Sequence, residues 1–489
     1  MNKKELTIDV LKAEMWICII LLTNRISAGL SLCVIALIAC YCVFKNKHWL
    51  SLSCFILFSV FRVTNAAIRP RVFFANIALN LGMILIELSF LLTIKKRSGN
   101  HSIPLKLLLL YMTIAFISST FGYMPIISYM KIINFVLFIS CIWASSEIIY
   151  YYNNDLYKLR CLFLAVCMFI IVGTYLTLPF HSIAYPQNMF ALMSYGGLTQ
   201  NEAAMLLSVS SETSFLAGIL SHSNVLAPAL CACFIFILCD MSFVERKIHK
   251  FHIILLLLSL PLMIFTRARS AFVILLISIF SMYFIINSMN RNNHFIKLIV
   301  KNSIILIVCF AIIGIVVMEI KDNGFSKYLR KTSNLQEDNR TLTVAMVESR
   351  MGLIDTNLND FYKNPILGMG FQTSEIHKYL YQSKRISLFS APIEKGVLPL
   401  MILGETGIIG AIIFIFWLIS FFSICIKNNY IATICGMVVI LASNLGESSF
   451  FAPSGLGGLL WIISIIGGYV CDIQIKNKNI YNEILIGKI

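Results

Sequence analysis

Charge is what this sequence has least of. Only 13% of its 489 residues are Asp, Glu, Lys or Arg, against 58% hydrophobic residues, whereas a soluble globular chain carries about 25% charged residues. That excludes a water-soluble protein. The sequence also has no CxxC pair and no His/Cys cluster with metal-ligand spacing; Cys231 and Cys233 are two apart inside an apolar run. Nearly all of the fifteen cysteines lie in such runs, where cysteine behaves as a small hydrophobe, and none falls in the polar stretch 320–396. The expectation is therefore no structural disulfide, no bound metal and no cofactor. Internal repeats and low-complexity tracts are absent. A cleavable signal is not expected, because the first run carries Asp9, Lys12 and Glu14 and no small-residue cleavage site follows it.

Apolar runs long enough to cross a hydrocarbon core of about 30 Å fill the chain instead. Fourteen segments are expected, at about 9–24, 27–44, 48–61, 73–94, 105–122, 125–149, 158–178, 216–239, 251–266, 270–288, 300–319, 397–424, 429–446 and 455–471. The first and third are the least regular, so the class is an all-α polytopic integral membrane protein with about 12–14 transmembrane helices. Call the N-terminal side A and the opposite side B. Side A collects twenty Lys and Arg in its ends and short loops, among them Lys45, Lys96, Arg246 and Lys297. Side B collects seven: Arg25, Arg62, Arg69, Arg71, Lys131, Arg267 and Arg269. By the positive-inside rule side A is cytoplasmic, with both termini there. The net charge of +16 is then largely this bias and implies no nucleic-acid partner.

Two side-B loops are long. Residues 179–215 contain no Lys or Arg but hold Glu202 and Glu212; residues 320–396 hold eleven Lys and Arg and eight Asp and Glu. The organisation expected is an N-terminal helical part (1–178), a central one (179–319), a large exported loop with short helices (320–396), and C-terminal helices with a cytoplasmic tail (397–489). Within the large loop, Val347, Met351, Ile354, Leu358 and Phe361 recur at spacings of 4, 3, 4 and 3, an apolar stripe on one helix. Asn364-Pro365 ends it, and Gly368 and Gly370 in "ILGMGF" allow a tight backbone turn.

Four pieces occur in order: "SHSNVLAPALCACFIF" at 221–236, the Arg269-Ser270 pair opening a span, "NPILGMG" at 364–370, and "LGETGIIGAIIFIFWL" entering the next span. Together they resemble the O-antigen ligase and polymerase superfamily over roughly 195–425. The resemblance implies a GT-C-like, inverting, metal-independent glycosyltransferase. Its substrates would be sugar chains on undecaprenyl pyrophosphate, used at the outer (periplasmic) face of a bacterial inner membrane.

That chemistry needs a cation for the departing diphosphate. Guanidinium suits it, since its rigid fork pairs with phosphate oxygens and stays protonated. Arg267 and Arg269 sit at headgroup depth, and Arg269 beside Ser270 is the stronger candidate; the plain alternative is a snorkelling anchor. Arg350, close to the loop helix's stripe, and Arg340 are further pyrophosphate candidates. The ligase pattern implies a histidine shortly before the glutamate of the ETG element. Here that place is Gly396, preceded by Glu394 and Lys395, with no histidine. Glu394 is therefore a candidate base, as are His377, His222 and Glu212, the last two flanking the start of one span. His222 is alternatively a helix cap. Asn224, Glu405 and Lys395 are acceptor-binding or structural candidates. Gly404, Gly407 and Gly410, three apart, read as a small-residue face that admits a neighbouring helix.

Three functions remain open: a polymerase joining lipid-linked repeat units, a ligase moving a finished chain to a lipid A core or a protein, and a lipid-linked oligosaccharide flippase. A flippase predicts two similar halves and short outer loops, and the sequence has neither. The missing histidine favours the polymerase over the ligase. A lipid-linked oligosaccharide as donor and acceptor, the bilayer, and a chain-length regulator are the partners this implies.

Overall fold

The computed structural model describes residues 3–64, 73–94, 102–151, 156–180, 184, 216–245, 249–266, 269–288, 301–305, 354–375, 397–446 and 448–486. These residues are helical apart from turns and one isolated bridge between Thr64 and Leu220. The helices are α1 (Lys3–Ile26), α2 (Ala28–Phe44), α3 (His48–Arg62), α4 (Phe73–Leu92), α5 (Ser102–Thr120), α6 (Pro125–Tyr151) and α7 (Leu156–Thr177). Next come α8 (Ser223–Cys239, continued by a π-helical turn Asp240–Glu245), α9 (Lys250–Phe265) and α10 (Arg269–Ser288). After these come α11 (354–363), α12 (Leu398–Lys427) and α13 (Ile431–Ser443). The last, α14, starts as Leu456–Leu460, passes through a π-helical turn Trp461–Ile466 and runs on as Gly467–Ile486. Among the described residues, seven helices are long and apolar enough to cross a membrane, and five shorter ones are apolar. The polytopic all-α class holds.

Burial sorts the helices by place. Every residue of α8 from Leu226 to Cys239 is buried, so this apolar helix is the centre of the bundle. On α12, by contrast, Ile412, Ile415, Phe416 and Ile419 point outward; an apolar outer face is the natural surface of a helix bathed in lipid. Helix α3 has only 15 residues, about 22 Å at 1.5 Å per residue, and is buried almost all round between its neighbours.

Short connections make successive helices antiparallel. Asn46 (φ 50°) and Asn429 (φ 60°) close α2 and α12 in the left-handed region that asparagine tolerates. At side A, Asp472 of α14 accepts the Ala432 and Thr433 N–H groups at 3.0 and 2.9 Å, capping the start of α13. Also at side A, Asp240 meets His252 at 2.8 Å and Arg160 at 3.4 Å, and Arg160 pairs with Glu245. These buried charges are compensated, as burial demands. At side B, the Ser221 N–H donates to Val63 O at 3.0 Å.

Two expected segments are revised, and a third lies mostly outside the described residues. The one expected at 216–239 is helical only from Ser223, because Gly218 (φ 58°) turns the chain and His222 caps the helix; the π turn then carries it to Glu245. The last helix continues past 471 to Ile486, since no Gly or Pro interrupts 472–486. Of 300–319, residues 301–305 are helical and the remainder lies outside the described residues. The stripe on α11 is also revised. Ile354, Leu358 and Phe361 are half-buried, and the positions that turn fully inward are the polar Asn357 and Asp360. Asn357 lies against Gly404, and Asp360 accepts from Tyr123 OH.

Candidate functional site

Helix α12 is broken one third of the way along. Gly407 has φ 63° and ψ −165°, a backbone conformation open to glycine and strained for other residues. The break strands carbonyls below it and amides above it, and buried backbone groups need partners. A strap, residues 364–373, supplies them. Met369 and Gly370 N–H donate to Gly404 O (2.8 Å) and Glu405 O (3.2 Å), while Ile408 and Ile409 N–H donate to Pro365 O (2.9 Å) and Ile366 O (3.4 Å). Irregular backbone persists at membrane depth only when protein satisfies it in this way. Of the three glycines on α12, Gly404 admits a neighbouring helix, α11, whereas Gly407 admits the strap. A Cβ on Gly407 would lie 2.3 Å from Ile366 O, and one on Gly404 2.9 Å from Asn357 O, so the strap and α11 are what approach. A Cβ on Gly410 would meet only its own helix's Thr406.

The strap is fastened from α5 and α6. Ser118 Oγ donates to Glu405 O at 2.5 Å and accepts from Gly370 N at 3.1 Å; Ser119 Oγ accepts from Phe371 N at 3.1 Å. Tyr123 OH donates to Asp360 Oδ1 at 2.6 Å and accepts from Lys363 Nζ at 2.9 Å. Lys131 Nζ donates to Gln372 O at 2.9 Å, and Gln372 Nε2 to Phe451 O at 2.7 Å. Burial, and then the bond to Asp360, push the Tyr123 phenol above its ordinary pKa, and the bond to Tyr123 pushes the Lys363 ammonium up. The network therefore keeps its protons through the neutral range. Glu405, beside the break, is fully buried.

Side B also holds the start of α8 and, nine residues down that helix at Cys231, the start of α10, where Cys231 Sγ donates to Ala271 O at 3.2 Å. His222 is the N-cap of α8, and its Nδ1 accepts from the Asn224 N–H at 3.1 Å. In the neutral ring this leaves the proton on Nε2, on an exposed residue. Capping is thus observed, and the ring offers a donor at Nε2 while it caps. Ser270 lies against the loop after α13, its Cβ 3.8 Å from where a Cβ of Gly446 would stand. Asn444 orders that loop by accepting from Ser449 and Phe450 N–H, both at 2.7 Å. Its carbonyl also accepts from Leu398 N–H, the first residue of α12, at 3.0 Å. Through Phe451 and Gln372 this loop joins the strap.

The structure thus joins Glu405 to the "NPILGMG" strap and sets Ser270 against the loop after α13, while His222 and Asn224 stand apart at the start of α8. The backbone of Arg269 opens α10. The Arg269 side chain lies outside the described residues, as do Arg267, Arg340, Arg350, Glu212, His377, Glu394 and Lys395. Sequence reasoning missed Asn444, Ser118, Tyr123 and Asp360. The signal for three of them was present: "SNLGESS" and "SSTFGY" are polar interruptions between apolar runs, the places where a bundle end exposes hydrogen-bonding groups.

These features define a polytopic helical membrane protein with one broken helix and an ordered polar end at side B. Residues 253–415, a third of the chain, match the family model described as O-antigen ligase, which is consistent with the resemblance to the O-antigen polymerase and ligase superfamily. The matched segment contains α9, α10, α11, the strap and the break in α12. The match puts the activity in the polysaccharide polymerase and ligase class, a glycosyltransferase-like chemistry at a membrane. No curated protein and no solved structure matches the chain.

Proposed function

We propose that this protein is a surface-polysaccharide (O-antigen) polymerase of a bacterial inner membrane, with side B periplasmic and both termini cytoplasmic. It joins oligosaccharide repeat units carried on undecaprenyl pyrophosphate. An acceptor hydroxyl oxygen attacks the anomeric carbon from the face opposite the diphosphate. The new C–O bond forms as the bond to the diphosphate breaks, the carrier leaves as undecaprenyl pyrophosphate, and the hydroxyl proton passes to a base. Arg269, with Arg267, Arg350 and Arg340, takes up the charge of the leaving diphosphate; such oriented donors are worth a few kcal/mol each. Glu394, His377 and Glu212 are the candidate bases, and Glu405, Asn224 and Lys395 bind the acceptor or shape the site. His222 supplies its Nε2 proton as a donor while it caps α8.

The observation that carries this reading is the backbone pairing at side B between the motif segment inside the large loop, the strap, and the one that follows the loop, at the break in α12. The test is the surface polysaccharide of a deletion strain. Core bearing a single repeat unit supports the polymerase. Bare core, with long chains held on the carrier, supports a ligase instead, the reading that the matched family's description favours. Normal long chains on the surface overturn both.

A further inference from the structure

We infer that Ser118, which lies outside the family-matched segment, is a positioning residue for the side-B reaction: its hydroxyl fixes where Glu405 stands. The inference rests on the glycosyl-transfer reading above, with Glu405 in its site. A serine or threonine in a helix usually turns its hydroxyl back to the carbonyl three or four residues earlier. Its companions in α5 do so: Thr113 donates to Leu109 O, Ser119 to Ala115 O and Thr120 to Ile117 O. Ser118 does not. It is fully buried and reaches across 287 residues of chain to Glu405 O at 2.5 Å, while accepting the Gly370 N–H at 3.1 Å. One hydroxyl thereby bridges the two backbones that meet at the break, next to the buried carboxyl. Gly122 lets α5 come this close: a Cβ there would lie 2.7 Å from Met369 O and 2.9 Å from Gly370 Cα.

Removing the hydroxyl costs the bridge and no group that touches substrate. The expected effect is on turnover, because small displacements in a site of this kind lower rates steeply while leaving binding intact. The full-length protein in proteoliposomes, supplied with lipid-linked repeat unit, gives kcat and KM. Ser118→Ala lowers kcat about ten-fold and keeps KM within about two-fold. Ser118→Cys, which keeps a weaker donor, falls between Ala and wild type. Gly122→Ala removes no polar group but pushes the strap off α5, and gives the same signature as Ser118→Ala. Ser145→Ala on α6, whose hydroxyl bonds its own helix at Cys141 O, matches wild type. Wild-type kcat in Ser118→Ala overturns the inference. So does a fall in Ser118→Ala that Gly122→Ala does not share, and so does loss of folded protein in all three variants at the α5 end. A wild-type protein that never joins lipid-linked units is a failure of the proposed function and is distinct from these results.

Discussion

Arg269 is the residue on which the proposed chemistry turns. It opens α10, and its neighbour Ser270 packs against the loop after α13, so the first turn of α10 stands beside the loop that Asn444 orders. An arginine there holds a diphosphate with a planar two-pronged fork; lysine offers a single point charge. Arg269→Ala should abolish long-chain glycan while the protein stays in the membrane at its normal level, read by polysaccharide gel and immunoblot. Arg269→Lys should recover only part of the chain length, and full recovery would reduce the residue to an interfacial anchor. At this scale the sequence revealed residue types and their depth, because an arginine or histidine at the edge of an apolar run has few places to go. It did not reveal partners. His222 could be read as a proton carrier or as a cap, and only the 3.1 Å approach of the Asn224 N–H decided that it caps. Ser118 passed unnoticed because a serine in a membrane helix normally serves its own carbonyls.

The element that separates this chain from a plain bundle is the broken α12. Hydropathy could not show the break, since Leu398 to Lys427 reads as one apolar run of 30 residues. A glycine's sign of φ leaves no trace in periodicity, and the strap that fills the gap lies some forty residues upstream, within the large loop. What was legible was the pair of glycine-bearing motifs, "NPILGMG" and "LGETGIIG", and their common side of the membrane; that they pair backbone to backbone was not. The pairing makes a sharp forecast. Gly407→Ala places a Cβ 2.3 Å from Ile366 O at φ 63° and ψ −165°, where this glycine-only backbone region alone costs roughly 1–3 kcal/mol and the clash must part the strap from the helix. Gly455→Ala, in the connection before α14, meets nothing within 4 Å. The first should lower the unfolding temperature in detergent by several degrees and end polymer formation. The second should change neither.

At the scale of the whole molecule, the break has a depth. From Ile408 to Lys427 the unbroken part of α12 has 20 residues, about 30 Å of helix and the thickness of a bilayer's hydrocarbon core. With Lys427 at the side-A boundary, Gly407 and the strap lie at the side-B boundary, the level of a lipid's diphosphate headgroup. The reading requires side B to face outward, and the Lys and Arg bias assigns that direction. Cysteine accessibility tests it. Tyr362 on α11 is 72% exposed at side B, and Lys250 is exposed at the start of α9 on side A. A membrane-impermeant maleimide applied to cells with a permeabilised outer membrane should modify Tyr362→Cys at once, and Lys250→Cys only after the inner membrane is opened. Among the described residues the exposed cysteines, Cys18, Cys33 and Cys40, all lie within the apolar helices α1 and α2, so the native background from them should be low. The reverse pattern would put the strap, Arg269 and Glu405 in the cytosol. There a carrier-linked sugar already exported could not reach them, and the polymerase assignment would fall even though every contact within the bundle stood.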